Sequence, residues 1–374
     1  MMVLAICAWR YRVTRPEFRL ARGEEASQSG DWDVAEEYAS KLEASGRPDR
    51  AHFLRGKALL AQHRPAPALG EFNQVRGDGA IRVRAATLSG HCLIELGNLP
   101  EAARVLAYAI GEQPDDVEAH RGLAIIAYDL GQMDVAVHHL EEVARLDVVD
   151  ARPHRLIGLI YKDMAQNEKA VAAYREALAR GLRAKPKVEV RVELAEVQAR
   201  LALFAEGLET LDADPPVGAE TDPARVVVRA QCLRGLGRKR EAGEVLDRAL
   251  ASSSTADLYR VRGQLYLDDA QHAEASHFLK QAVALAPADY QVHYLLAQAY
   301  AGAGRKAEAA KTSDRAEELR KDMELITKLS REAIDKPWDS VIRLQLAEVS
   351  DRLGKPQLAA MWRSAAAACR RPTR

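Results

Sequence analysis

Residues 151–184 read ARPHRLIGLIYKDMAQNEKAVAAYREALARGLRA and contain the clearest copy of a unit that recurs along most of the chain. Apolar residues follow a helical spacing from Leu156 to Tyr161 and again from Ala170 to Leu178. The polar run 165–168 separates these two segments. The stretch therefore predicts a hairpin of two helices.

Two small residues, Gly158 and Ala170, lie twelve positions apart in this hairpin. A side chain of one hydrogen or one methyl group lets the backbones of two crossing helices approach closely. The same spacing occurs ten times, and successive pairs advance by 33 to 37 residues, with a step of 50 before the last pair. The ten pairs are Gly23 with Ala35, Gly56 with Ala68, Gly90 with Ala102, Ala124 with Ala136, Gly158 with Ala170, Ala195 with Gly207, Ala230 with Ala242, Gly263 with Ala275, Ala297 with Ala309, and Ala347 with Ala359.

A repeat of about 34 residues is typical of two-helix solenoids, and this one resembles the tetratricopeptide repeat (TPR) family. The family pattern has a small residue, an aromatic residue three positions on, then alanine, a bulky residue, alanine and proline. Residues 151–184 match at Gly158, Tyr161, Ala170, Tyr174 and Ala177, and have Leu182 where proline is usual. The resemblance covers about residues 16–373. It implies an all-α fold, a right-handed α-solenoid (superhelix) of about ten two-helix repeats.

The repeats suggest four segments. We expect regular repeats one to five, an irregular repeat six, and an extended second helix over about 306–334, where glycine and proline are absent. The prolines in Pro215 to Pro223 predict a flexible joint, with an ordered surface loop as the alternative. The segments are 1–15 (an apolar tail with a basic flank), 16–184 (repeats one to five), 185–222 (repeat six and the joint) and 223–373 (repeats seven to ten).

The apolar residues 1–9, MMVLAICAW, precede Arg10, Arg12 and Arg15. Nine residues are too few to cross a bilayer, which takes about 20. Two interpretations stay open: the tail packs on the first repeat of a cytoplasmic protein, or it is the remnant of a membrane anchor. Arginines after an anchor would hold the repeats on the cytoplasmic side.

The composition argues against nucleic acid as a partner. Lys plus Arg and Asp plus Glu number 54 each, so the formal net charge is zero, and only 5% of residues are aromatic. The four cysteines have no disulfide or metal spacing, which predicts reduced thiols. Cys92 and Cys232 occupy equivalent repeat positions, where we expect them to fill space as small apolar side chains. The other two are Cys7 and Cys369.

Catalytic and cofactor motifs are missing from the sequence. It has no HExxH, no GxxxxGK[ST] and no GxSxG, and its ten histidines are scattered. We therefore predict no catalytic, cofactor-binding or metal-binding residues, and a protein that is not an enzyme.

The TPR resemblance also implies where a partner would bind. In that family the first helices line a concave groove, and the residues that face it lie three and six before the small residue, or one, four and five after it. The arginines at these positions are Arg50, Arg84, Arg121, Arg152, Arg155 and Arg260; the carboxylates are Glu95, Asp129, Asp163 and Asp268.

These charges have two interpretations. They pair with one another between repeats, or the arginines bind carboxylates of a bound segment. The predicted function is a non-catalytic protein–protein interaction scaffold that binds a protein or peptide segment, chiefly in repeats two to five. The alternative is a membrane-tethered assembly factor that uses residues 1–9 and organises a complex at the cytoplasmic face.

Overall fold

The computed structural model describes residues 15–77, 79–213, 221–336 and 338–369. Within these ranges the chain forms twenty α-helices and no strands, and consecutive helices pack as antiparallel pairs. The predicted all-α fold of about ten two-helix repeats is confirmed. The described residues form two compact units, which divide between Ile157 and Gly158.

The first unit contains the hairpins of repeats one to four and the start of the next helix. Its helices are α1 Pro16–Ser29, α2 Trp32–Ala44, α3 Pro48–Ala61, α4 Pro65–Phe72, α5 Gly79–Glu95, α6 Leu99–Glu112, α7 Val117–Asp129, α8 Met133–Leu146 and the start of α9 Arg152–Asp163.

The second unit begins inside α9 and contains the remaining hairpins. Its helices are α10 Asn167–Ala179, α11 Ala184–Arg200, α12 Phe204–Asp212, α13 Pro223–Gly235, α14 Lys239–Leu250, α15 Ala256–Asp268, α16 His272–Leu285, α17 Tyr290–Gly302, α18 Lys306–Asp335, α19 Ser340–Arg352 and α20 Pro356–Ala368.

Every hairpin turn has one residue in the left-handed region, always seven positions after the small residue of the first helix. Glycine occupies this place in six repeats, since it adopts positive φ without steric cost. The other four repeats have His63, Ala165, Ala202 and Ala270, with φ between 56° and 59°. Because the same turn recurs at ten equivalent positions, the sequences of the ten hairpins align in one register.

The predicted small residues are almost all buried, as close contact between helices requires. On the second helices of the hairpins, the buried ones are Ala35, Ala68, Ala102, Ala136, Ala170, Gly207, Ala242, Ala275 and Ala359. The tenth residue of this set, Ala309, is half-buried. On the first helices, all ten are buried: Gly23, Gly56, Gly90, Ala124, Gly158, Ala195, Ala230, Gly263, Ala297 and Ala347.

The structure also shows what the glycines of the first helices accommodate, which is a bulky side chain sixteen residues further on. A β-carbon built on Gly56 would lie 2.5 Å from a ring atom of Phe72, and one on Gly158 would lie 2.7 Å from Tyr174. Real β-carbons do not come so close to other atoms, so these positions have no room for a larger residue unless the ring moves.

The aromatic residues at the second of these positions, Phe72 and Tyr174, occur only opposite glycine. Leucine occurs opposite glycine at Gly90 and Gly263, and opposite alanine at Ala124, Ala195 and Ala230. Repeat one differs because Ala39 takes the bulky place, and there Gly23 accommodates Leu54 from the next repeat, 2.2 Å from the built β-carbon.

The helix α18 has 30 residues. Near its start, Ala309 packs against a cluster that contains Leu296 and Tyr300. Further along, Leu319 and Leu329 belong to a different cluster, formed with α19. One helix thus supplies side chains to two hydrophobic clusters.

Four predictions need comment. Repeat two is not regular, because α4 ends at Phe72 after only eight residues. Leu156, expected on an apolar face, is 46% exposed. The apolar tail 1–9 lies outside the described residues, as do residues 215–220 of the predicted joint, so both remain predictions.

Candidate functional site

The predicted arginines of repeats two and three form ion pairs with acids that the sequence analysis did not single out. The Nη1 atom of Arg50 lies 3.0 Å from Glu17, and the Nη2 atom of Arg84 lies 2.6 Å from Glu24. The Arg84 guanidinium also lies 4.6 Å from the centre of the Phe53 ring, at the distance of a cation–π contact. These two arginines pair across repeats.

Repeats four and five share an acid. The Nη2 atom of Arg121 lies 2.8 Å from Asp150, and the Nε atom of Arg152 lies 2.8 Å from the same carboxylate; Arg121 also pairs with Glu118. The Asp150 side chain is only 8% exposed. Its burial raises the carboxyl pKa, but hydrogen bonds from Arg152 and the charge of Arg121 outweigh that and hold the pKa below its ordinary value.

The predicted acidic residues do not take part in these pairs. Glu95, Asp129 and Asp163 are exposed, and none has an ion-pair partner among the described residues. Sequence reasoning missed Glu17, Glu24 and Asp150, which lie 29 to 60 residues from Arg50, Arg84 and Arg121 respectively, in the order 33, 60 and 29. The contacts of Arg50, Arg84 and Arg121 favour the interpretation in which these arginines pair with acids of the protein itself over the one in which they bind carboxylates of a partner.

The second unit contains a surface depression of about 570 Å³, which four successive first helices line. Ten of its eleven lining residues lie at the positions three or six before, or one, four or five after, the small residue of their repeat. The positional rule thus describes this surface. They are Glu196, Ala199 and Arg200 of α11, Gln231, Arg234 and Gly235 of α13, Arg260, Gln264 and Asp268 of α15, and Gln291 of α17.

Two further depressions continue this surface towards α18. One of about 530 Å³ shares Arg260, Gln264 and Gln291 with the first and adds Tyr294. The other, of about 640 Å³, shares Tyr290 and Arg320 with the second and runs along the extended half of α18 to Glu332. We call the three together the C-terminal groove.

The cations of the C-terminal groove are mostly neutralised by acids of the same unit. Arg200 lies 2.6 Å from Glu196, and Arg320 lies 2.7 Å from Glu317. The Arg234 guanidinium donates to Asp268 at 2.9 Å, and this hydrogen bond raises the arginine pKa. Arg260 pairs with Asp257 outside the groove, at 2.7 Å. The groove therefore has little net field with which to attract a strongly charged ligand.

Two histidines meet between helices in the first unit. The Nδ1 atoms of His120 and His139 lie 3.0 Å apart, and the Nε2 atom of His120 lies 3.1 Å from the carbonyl oxygen of Pro114. His293 makes the equivalent contact with Pro287 at 2.9 Å. Burial, reinforced by the neighbouring histidines, lowers the pKa of His139 to about 4. These contacts indicate histidine rings that are packed between helices.

Two of the cysteines, Cys92 and Cys232, carry no sign of reactivity. Cys92 and Cys232 are fully buried and free, and burial raises the pKa of each thiol to about 11. Across the described part of the chain, no three His, Cys, Asp or Glu side chains come together as a metal site would require. Cys7 lies outside that part.

Models of the tetratricopeptide repeat match residues 20–80, 93–160, 155–180 and 260–323, which together cover more than half of the chain. The chain belongs to the tetratricopeptide repeat family. Proteins of this family are typically scaffolds without catalytic activity, and each family model that matches this TPR chain is a model of the tetratricopeptide repeat.

Solved structures similar to the TPR chain include a tetratricopeptide repeat protein from Parabacteroides merdae, with 16% identity and a TM-score of 0.46 over 67% of this chain and 98% of that one. Human IFIT1, solved as a dimer with PPP-AAAA, has 15% identity and a TM-score of 0.44 over 89% and 86% of the two chains. MamA from Desulfovibrio magneticus RS-1 has 17% identity and a TM-score of 0.34 over 55% and 95%. No curated protein matches the TPR chain.

None of the described helices of the TPR chain is both long and apolar enough to cross a bilayer. The anchor hypothesis concerns residues 1–9, outside the described residues, and stays a hypothesis.

Proposed function

We propose that the chain is a non-catalytic scaffold that binds a segment of a partner protein in the C-terminal groove. The observation that carries the proposal is the lining of this groove, since successive first helices contribute equivalent positions to one surface. A surface built by repeats in series suits a ligand that is itself a linear chain.

A protein segment fits the groove better than nucleic acid does. Binding a phosphate backbone relies on unpaired cations, whereas Arg200, Arg234, Arg260 and Arg320 each have an acidic partner. The side chain of Tyr294 is 57% exposed and offers a partner a flat apolar face. We place the protein in the cytoplasm as part of this proposal, in keeping with the free thiols of Cys92 and Cys232.

The arginines of repeats two to five remain a second candidate surface, comprising Arg50, Arg84, Arg121, Arg152 and Arg155 with Glu95, Asp129 and Asp163. A ligand that bound there would displace the internal ion pairs of Arg84 and Arg121. This cost makes the C-terminal groove the preferred surface.

Site-specific photocrosslinking tests the proposal. A photoreactive phenylalanine analogue replaces Tyr294 in one version of the full chain and Gln281 in another; Gln281 is an exposed residue of α16 outside the groove. In lysate, the probe at position 294 should capture a defined protein that the probe at 281 does not. Excess unlabelled wild-type chain should compete with this capture, and a Gln264→Trp chain, whose groove is filled, should not. Equal capture at both positions, or equal competition by both chains, would refute the proposal.

A further inference from the structure

One depression of the C-terminal groove lies where the regular stacking of helices is interrupted. The residue four positions after the second small residue is buried in each of the first eight repeats. In repeat three this residue is Leu106, and the next first helix covers it, because a β-carbon built on Gly122 would lie 2.6 Å away. In repeat nine the same place holds Ser313, which is exposed. The next first helix, α19, packs instead on the far part of α18, around Leu329.

The depression beside Ser313 has the size and the lining of a site for a polar small molecule. Its volume is about 530 Å³, and sites for small molecules have volumes of about 300 to 1,000 Å³. Residues of α15, α17 and α18 line it. Eight of the ten have a side chain that can form hydrogen bonds, and the two exceptions are Leu295 and Ala316. The ligand must therefore offer many hydrogen-bonding groups within a small volume.

The hydrogen-bonding groups that are free for a ligand are neutral. Both arginines of the depression have an acidic partner. Among the described residues, by contrast, the side chains of Gln264 and Ser313 have no hydrogen-bond partner, and Gln291 donates only over 3.5 Å to the hydroxyl of Tyr290. A carboxamide and a hydroxyl each provide a donor and an acceptor. These groups are complementary to the hydroxyl groups of an uncharged ligand.

Two tyrosines add an apolar surface to this polar lining. Tyr290 and Tyr294 lie one helical turn apart on α17, and both line the depression. The exposed ring of Tyr294 presents its flat face. A ligand that fits must have an apolar face to stack on this ring and hydroxyl groups around its edge. A pyranose ring has both, since its C–H groups form the face and its hydroxyl groups the edge.

We infer that this depression binds an uncharged oligosaccharide, with one pyranose ring stacked on Tyr294 and its hydroxyl groups hydrogen-bonded to Gln264 and Ser313. The inference goes beyond the proposed function and does not depend on it, because it concerns a different ligand. A saccharide in the depression would share Tyr294 with a bound protein segment, so the two ligands would compete.

The test begins with the full chain on an array of uncharged oligosaccharides, namely glucans, mannans, xylans and chitin fragments. The strongest binder is then examined in solution by saturation-transfer NMR, with adenosine as a comparison ligand that also has a flat face. Its affinity is measured for the wild type, Tyr294→Ala, Tyr294→Phe, Gln264→Ala and the control Tyr128→Ala. Tyr128 is an exposed tyrosine of α7 outside the depression. Thermal melting shows that each variant is folded.

We expect Tyr294→Ala to weaken saccharide binding at least about tenfold, as the loss of a central aromatic contact predicts. Gln264→Ala should weaken it about twofold to tenfold, since a hydrogen bond is lost. Tyr294→Phe keeps the ring, and Tyr128→Ala leaves the depression unchanged, so both should bind nearly as the wild type does. The C–H protons on one face of a pyranose ring should receive most of the transferred saturation.

The inference is wrong if no oligosaccharide of the array binds, if adenosine binds and the oligosaccharides do not, or if Tyr294→Ala binds as tightly as the wild type. None of these results bears on the proposed function, which the crosslinking experiment tests separately. Saccharide binding without specific crosslinking at position 294 would overturn the proposed function alone.

Discussion

Replacing Gly56 by alanine tests whether the small residues are positioned by the bulky side chains opposite them. In an open helix position this change stabilises, by about 0.5 to 1 kcal/mol, because alanine is the better helix former. At Gly56, however, the added β-carbon would lie 2.5 to 2.8 Å from three ring atoms of Phe72, which is itself 2% exposed. Overpacking a buried contact costs about 1 to 3 kcal/mol. We expect a net destabilisation of about 1 to 2 kcal/mol.

Two further variants make the test specific. Gly70→Ala, in the same repeat, is the control, because a β-carbon there has nothing within 4 Å; it should stabilise the chain slightly. Phe72→Leu in the Gly56→Ala background recreates the alanine–leucine combination found at Ala124 and Leu140. It should recover part of the lost stability, so the two changes should be non-additive by about 1 kcal/mol.

Urea unfolding followed by circular dichroism gives the stability. Hydrogen exchange of the α3 and α4 amides localises the effect, since repeat arrays do not always unfold in one step. Equal stability of Gly56→Ala and Gly70→Ala would contradict this prediction. So would a double variant in which the free-energy cost of Phe72→Leu simply adds to that of Gly56→Ala.

Four other predictions follow from the structure. Arg84→Glu and Arg121→Glu should each lower stability by about 1 kcal/mol at low salt, less at high salt, because both arginines lie among acids; unchanged melting would mean that the ion pairs contribute nothing. The pKa of His139 is about 4 in the folded chain and near 6.5 when unfolded, so the unfolded chain binds more protons between these values. Stability from this residue should be present above pH 6.5 and fall as the pH drops towards 4, and the melting temperature of His139→Asn should depend less on pH. Ala270→Gly should stabilise the chain by about 0.5 to 1 kcal/mol, since the residue has φ of 56°; a lower unfolding midpoint would contradict this. The buried Cys92 thiol, with its pKa raised to about 11, should react with a thiol reagent at pH 8 at least a hundredfold more slowly than an exposed thiol, and equal rates would show that the helix pair opens readily.

The repeat could be predicted from sequence because its signal is local. Each hairpin puts a small residue, a turn residue seven positions on and a second small residue at twelve, so the pattern is visible within one repeat. The contact of Gly158 with Tyr174 also lies within one repeat, sixteen residues apart. The sequence does not predict this contact, because size complementarity between two helices depends on which of their faces pack together.

The site was harder to predict than the fold. The positional rule describes the lining of the depression in repeats six to nine, whereas the choice of charged residues favoured repeats two to five. The long-range partners of Arg84 and Arg121 are Glu24 and Asp150, and nothing local in the sequence joins these acids to the two arginines. Glutamines such as Gln264 are neutral and common, so they gave no signal until the structure placed three of them in one depression.

The length of α18 has a consequence for how the end of the chain unfolds. Ala309 and Leu319 lie on the same helix, α18, but in different clusters. The final hairpin, α19 and α20, therefore cannot separate from the rest of the chain without exposing the C-terminal turns of α18. Loss of α19 and α20 would expose Leu329 and Ala333 to water, and this apolar surface would promote aggregation. A shortened chain that removes this hairpin should therefore also end α18 near residue 319.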